Sequence, residues 1–277
     1  MQLSISCRIA EGFLSKEEAS LSLSELAGLA KSAGYQAICM RASQTGVQST
    51  RAEWQTARKI LEDRGLVVSM VTGDFDIVYN NDRGPDCLRR IEPYLDLAET
   101  LGAPMIRVCL KSREDFEAAR DAADRAGDRG LTLVHQCHTL SLFETIDGTI
   151  ETLNAIDRPN FGLIYEAANL EGCRQDYGPA TIRQLAPWIR NVYLQNQIVR
   201  PSGAVTLDTW CHGPVTFDVT QIHEPDGIDF DSVVTGLKSV GYDGTITVHQ
   251  SGPEDGTTSA TDAATQTAMY LRQLWNA

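Results

Sequence analysis

Residues 131–145 read LTLVHQCHTLSLFET. Leu131, Thr132, Leu133 and Val134 follow a glycine, carry mostly branched side chains and are too few for a helix, so they predict a buried strand. The run stops abruptly at His135, with Gln136 next and His138 three residues beyond His135. A buried strand that finishes in imidazole and amide groups either presents them at a sheet edge or holds them as hydrogen-bonded core residues. How the other strands finish bears on that choice.

Seven more short apolar runs, at 3–7, 37–41, 66–72, 105–110, 162–166, 191–195 and 245–249, have the same strand character. Between them apolar residues recur at three- and four-residue spacing, as in Leu23/Leu26/Leu29, Trp54/Ala57/Ile60, Leu88/Ile91/Leu95, Val233/Leu237/Val240 and Ala268/Leu271. Eight strands, each followed by an amphipathic helix, predict an α/β fold, a single (β/α)8 TIM barrel over residues 1–277. The helix-to-strand joints are short and contain glycine (SAGYQA, EDRGLVV, TLGAPM, GDRGLTL, SVGYDGT), whereas the strand-to-helix loops are long and mixed, as in TGDFDIVYNNDRG. One face is trimmed and the other elaborated, and barrel enzymes carry their sites on the elaborated face.

On that face four successive strands finish in His135, Glu166, Gln195 and His249, within LTLVHQ, GLIYEAAN, NVYLQNQ and TITVHQ. All four side chains can ligate a divalent ion, and imidazole with oxygen donors suits Mn, Fe, Co, Ni or Zn better than Mg. The alternative for each is a wet, polar strand end with no ligand role. Arg107, inside a strand, either binds a carboxylate or phosphate or makes a structural ion pair. Gln197, two residues after Gln195, would point the same way along a strand and could bond hydroxyls.

The formal charge of -13 repels phosphate backbones and anionic headgroups, which argues against nucleic acid and membrane partners. Seven cysteines are scattered with no CxxC spacing, the usage of a reduced, cytoplasmic protein. No basic segment with an apolar run opens the chain, and no apolar stretch reaches the roughly 18 residues of a membrane span. Nucleotide-binding and serine-hydrolase motifs are absent.

Two longer stretches, LDLAETLGAPMIRV (95–108) and GIDFDSVVTGLKSVGYDGTITV (227–248), resemble the xylose-isomerase-like barrels, the sugar phosphate isomerase/epimerase group that also includes ketose 3-epimerases and inosose dehydratase. The resemblance covers nearly the whole chain. It implies one divalent metal held by four strand ends, where the family's Glu, Asp, His and Glu become His135, Glu166, Gln195 and His249. A set with one carboxylate binds a hard cation more weakly and makes it a stronger Lewis acid. It also lacks the two glutamates that serve the epimerases as paired bases, and its histidine-ended strand is closer to the dehydratase and lyase branches. Asn169 falls where the family often has a histidine touching substrate. A homo-oligomer is expected by analogy alone.

The expected chemistry is proton abstraction beside a carbonyl of a sugar or keto-sugar, with a small-molecule carbohydrate as partner. His138 is the best base in the sequence, unless it only bonds its own loop. His212, in TWCHGPV, could protonate a leaving oxygen, and Trp210 could stack on a sugar ring or simply anchor the loop. The outcomes left open are isomerisation or epimerisation, elimination by a dehydratase or lyase, and sugar binding without catalysis.

Overall fold

The computed structural model describes residues 1–253 and 258–277. The chain opens with β1 (Gln2–Ser6), α1 (Leu23–Ser32), β2 (Ala37–Arg41), α2 (Arg51–Glu62) and β3 (Val67–Thr72). Two short helices, α3 (Phe75–Tyr79) and α4 (Asp86–Arg89), precede α5 (Glu92–Leu101), β4 (Met105–Arg107), α6 (Phe116–Asp128), β5 (Thr132–Gln136) and α7 (Ile146–Ile156). β6 (Phe161–Glu166) runs directly into α8 (Ala167–Gly172), before α9 (Pro179–Leu185) and β7 (Ile189–Leu194). Then come β8 (Asn196–Val199), β9 (Val205–Thr209), β10 (Gly213–Thr220), α10 (Phe230–Ser239), β11 (Thr245–Val248) and α11 (Ala260–Asn276).

β1, β11, β7, β6, β5, β4, β3 and β2 pair in that order and close on themselves. Every neighbouring pair is parallel. With the helices between them they form the (β/α)8 TIM barrel that the alternation predicts.

The local causes are those the sequence carries. Ser22 and Thr50 cap α1 and α2 in reciprocal boxes with Glu25 and Glu53, which satisfies orphan N–H groups at each start. At the five trimmed joints Gly34, Gly65, Gly102, Gly130 and Gly241 all have φ between +63° and +83°, where a side chain is disfavoured and a helix can turn sharply into a strand. Between the barrel wall and its helices, residues such as Leu133, Leu163 and Ile246 pack against Leu26, Leu95 and Leu237 in one continuous buried layer. Inside the barrel a small plug of Cys39, Met70, Val134, Ile164 and Tyr193 fills the axis.

The loop expected after Gln195 contains an element of its own. β8, β10 and β9 make a three-stranded antiparallel sheet that roofs part of the elaborated face. Glu144, in the loop after β5, holds this roof: its carboxylate accepts the backbone N–H of Trp210 at 2.8 Å, of Cys211 at 2.8 Å and of Leu140 at 2.5 Å. No helix among the described residues is long and apolar enough to cross a membrane.

Candidate active site

Side chains alternate along a strand, so the interior plug fixes which residues reach the rim. Two places beyond Cys39, Val134, Ile164 and Tyr193 stand Arg41, Gln136, Glu166 and Gln195, and Arg107 follows Met105 by the same step. These side chains, with Arg8, Lys16, Asn80, His138, Asn169, Asp208 and His249, line a cavity whose empty space, mouth included, is about 740 Å³.

Glu166 sits at the floor, 1% exposed. Its Oε2 accepts the side-chain N–H of Gln136 and, at 2.8 Å, that of Asn169, whose amide also donates to the Cys137 carbonyl at 2.7 Å. Oε1 accepts no hydrogen bond from the described residues. Burial pushes the carboxyl up to about 7, against the opposing pull of Gln136, Arg107 and Arg8. Glu166 therefore changes charge near neutrality, with one oxygen fixed and the other open.

Around it lies a surplus of cations. Arg41, 1% exposed, donates through Nε to both oxygens of Glu11 at 2.9 and 3.0 Å. Arg8 approaches the same Glu11 only to 4.0 Å and lies over the Phe13 ring; burial and the neighbouring Arg41 bring it down to about 10. Lys16, half-buried, is brought down to about 6 by burial and by Arg8, Arg41 and Arg107. Arg107, 3% exposed, forms neither hydrogen bond nor ion pair with any described residue. Of its two readings in sequence, the structural ion pair is thus without a partner.

The two cavity histidines, His138 and His249, are held neutral. His249 stacks on Tyr193 with ring centroids 3.9 Å apart, places Nδ1 3.1 Å from Ser6 Oγ, and places Nε2 3.5 Å from Arg41 Nη1. A guanidinium only donates, so Nε2 is the acceptor and its lone pair faces Arg41. Burial and then Arg41 hold His249 well below the usual imidazole range. His138 donates Nδ1–H to the Thr139 carbonyl at 2.9 Å, leaving Nε2 as an acceptor at the cavity wall. Burial and Arg107 depress it strongly, so it accepts bonds but is a weak base.

A resident divalent metal does not fit these side chains. His135 is one residue out of phase: it faces away from the cavity, stacks on Phe143 at 3.9 Å, and donates Nδ1–H to the Gln136 carbonyl at 2.7 Å. The side chain that β5 delivers to the rim is Gln136. The His249 lone pair points at a cation, and among the described residues Glu166 at the floor and Asp208 at the rim stand with three guanidiniums and Lys16, where Coulomb repulsion opposes a dication. Among the described residues, the cluster with close ligand-type atoms is Glu144, Cys173 and Cys211, outside the cavity, with the carboxylate already engaged by the roof.

Of the other expected site residues, Glu166, Gln195, His249, His138, Arg107 and Asn169 come together, and Gln197, Trp210 and His212 do not. The chain leaves the barrel at β8, and Gln197 Nε2 donates to the Ala168 carbonyl at 2.8 Å. Trp210 is 53% exposed at the β9–β10 turn, and His212 is exposed beside it. Sequence reading missed Gln136, Arg8, Lys16 and Arg41. Arg41 had a usable signal, since it ends strand 37–41 as Glu166 ends its own.

A search of curated proteins matched none to this chain. Among solved structures, the chain is similar to one described as the probable 3-DHS dehydratase AsbF of Bacillus anthracis, at 17% identity and a TM-score of 0.71, over 98% of this chain and 99% of that one. A D-psicose 3-epimerase in the presence of D-fructose matches at 13% identity and a TM-score of 0.70, over 100% of both chains. The IOLI protein with a binding zinc atom matches at 15% identity and 0.70, over 100% of this chain and 98% of that one. At such identities these likenesses speak for the fold alone. The model of the xylose isomerase-like TIM barrel matches residues 27–274, and the chain belongs to that family.

Proposed function

We propose that the chain is a sugar isomerase or epimerase that moves a proton beside a carbonyl, with Glu166 as the group that carries it. The observation behind this reading is the state of Glu166: buried, raised to about 7, one oxygen fixed by Gln136 and Asn169, the other open to the cavity. A general base works best when its pKa lies near the working pH. The xylose isomerase-like family to which the chain belongs supports a carbohydrate substrate, and structural neighbours described as an epimerase and as a probable dehydratase are consistent with it.

In the reaction, Oε1 of Glu166 takes the proton from carbon, the C–H electron pair moves toward the carbonyl, and negative charge collects on the oxygen. Arg41, which lines the same cavity as Glu166, is the donor assigned to that charge, and the cationic field of Arg8 and Arg107 lowers its energy. Return of the proton to the neighbouring carbon, or to the other face, gives the product. His138 and Gln195 present polar groups for substrate hydroxyls. The expected divalent metal enters no step, because the donors do not suit it. His212, expected to protonate a leaving oxygen, lies outside the cavity, which favours the mass-neutral outcome over elimination.

The test is solvent-deuteron exchange into keto-sugars and keto-acid sugars, followed by mass spectrometry, with the parent and Glu166→Gln. Exchange in the parent and a loss of at least a hundredfold in the variant supports the assignment. Equal exchange in both removes Glu166 from the mechanism.

A further inference from the structure

Arg107 carries a consequence for the substrate. A guanidinium taken out of water without a counter-charge is costly unless something pairs with it. Arg41 has its carboxylate, Glu11, with both oxygens within hydrogen-bond distance of Nε, and Arg8 has that same carboxylate at the limit of an ion pair. Among the described residues Arg107 has none, with Nε fully enclosed, and the enclosed Arg8 Nη1 is also without a hydrogen bond. Both atoms belong to side chains at least nine-tenths buried, and both side chains line the same cavity. Among the described residues no acidic group closes the gap: Glu166 acts on both guanidiniums by its charge but forms no ion pair with either, and Asp208 lies exposed on β9 at the rim.

We infer that the cavity takes a sugar that itself bears an oxyanion, a carboxylate or a phosphate, bound directly by Arg107 and Arg8. The inference rests on the proton-transfer reading for the sugar and on the unpaired Arg107 guanidinium, with the unsatisfied Nη1 of Arg8 beside it, for the anion. Planar guanidinium donors match both oxyanions in pairs of parallel hydrogen bonds, so the two sources share one recognition chemistry. The depressed Lys16 at the mouth is a further sign of the same cationic field.

The test is calorimetric titration of the full chain in EDTA-containing buffer, in a Glu166→Gln background so that no turnover intervenes. The probes are D-fructose, 5-keto-D-gluconate and D-fructose 6-phosphate. At least one anionic probe should bind tenfold or more tightly than fructose, and the better of the two identifies carboxylate or phosphate. Adding Arg107→Gln or Arg107→Met should reduce that margin to threefold or less. The melting temperature of each Arg107 variant should equal or exceed that of its background, since an uncompensated buried charge has been removed. Four results would each overturn the inference: no binding of either anion, equal binding of all three probes, a margin that survives both substitutions, or anion binding that appears only on adding a divalent ion. Melting several degrees lower in both variants would do so too, by making Arg107 structural. A protein that discriminates the anions but exchanges no proton sinks only the proton-transfer reading, and one that exchanges protons without discriminating sinks only this inference.

Discussion

Glu166 makes two pH-dependent predictions that can be read separately. Its carboxyl is raised from 4.5 to about 7 by burial, so the fold favours the protonated form. Its stabilising contribution is complete below about pH 4.5 and is lost as pH climbs through about 7, by roughly 3 kcal/mol at most. Melting curves from pH 5 to 8 should therefore show the parent losing ground to Glu166→Gln, and a constant gap would refute the raised pKa. Catalysis runs the other way, because the base must be ionised: kcat/KM for proton exchange should rise with pH through about 7. The neighbouring strand shows why such residues were only partly legible. Strands of a parallel barrel are buried on both faces and read as continuous apolar runs, so LTLV gives no alternation from which to tell that Gln136 points inward and His135 outward. Where the chemistry sits at the last residue of a strand, the site's location is readable and its parity is not. Arg8 escaped for a different reason, since it lies just past β1 in a 3-10 turn at Cys7–Ala10.

The roof of β8, β9 and β10 is an insertion with strand character of its own. In VTLDT and PVTFDVT apolar and polar residues alternate, the signature of a half-buried strand, yet the expectation of eight barrel strands left them as loop. Leu207 and Asp208 of β9 reach the cavity, and Glu144 is the fastening. Glu144→Ala strands the N–H groups of Leu140, Trp210 and Cys211. It should cost about 2 kcal/mol or more and speed hydrogen exchange across residues 205–220 while leaving that of β5 and β6 unchanged. Exchange that accelerates evenly over the barrel would contradict this local role. At the opposite face the five glycine joints were legible, whereas the turn into β6 is made at Asp157, φ +49°, with no glycine to announce it. Gly130 has φ +70° with nothing within 4 Å of an added Cβ, so Gly130→Ala isolates backbone strain and should cost about 1 kcal/mol by denaturant melting. No loss would mean that the joint relaxes.

Taken whole, the molecule opposes its exterior to its interior. A chain of net charge -13 encloses guanidiniums, so anions meet repulsion at long range and attraction only inside, where screening by salt is weak. The pattern of eight strands and helices was visible from end to end because it repeats; the charge of the cavity was not, because Arg8, Arg41 and Arg107 are far apart in sequence and converge only when the barrel closes. The same sealing sorts the thiols. Six of the seven cysteines are buried, and Cys211 alone is partly open, on the roof. Its thiol is raised by burial and by Glu144, so it should react slowly at neutral pH and faster as pH rises. A thiol-reactive dye should accordingly modify one site in the native protein and seven after denaturation, and more than one native site would contradict the burial of the rest. Cys211 thus offers a place for a single fluorophore without removing any other cysteine, at the point where the roof is fastened, so that the emission of the attached dye would follow the movement of the roof.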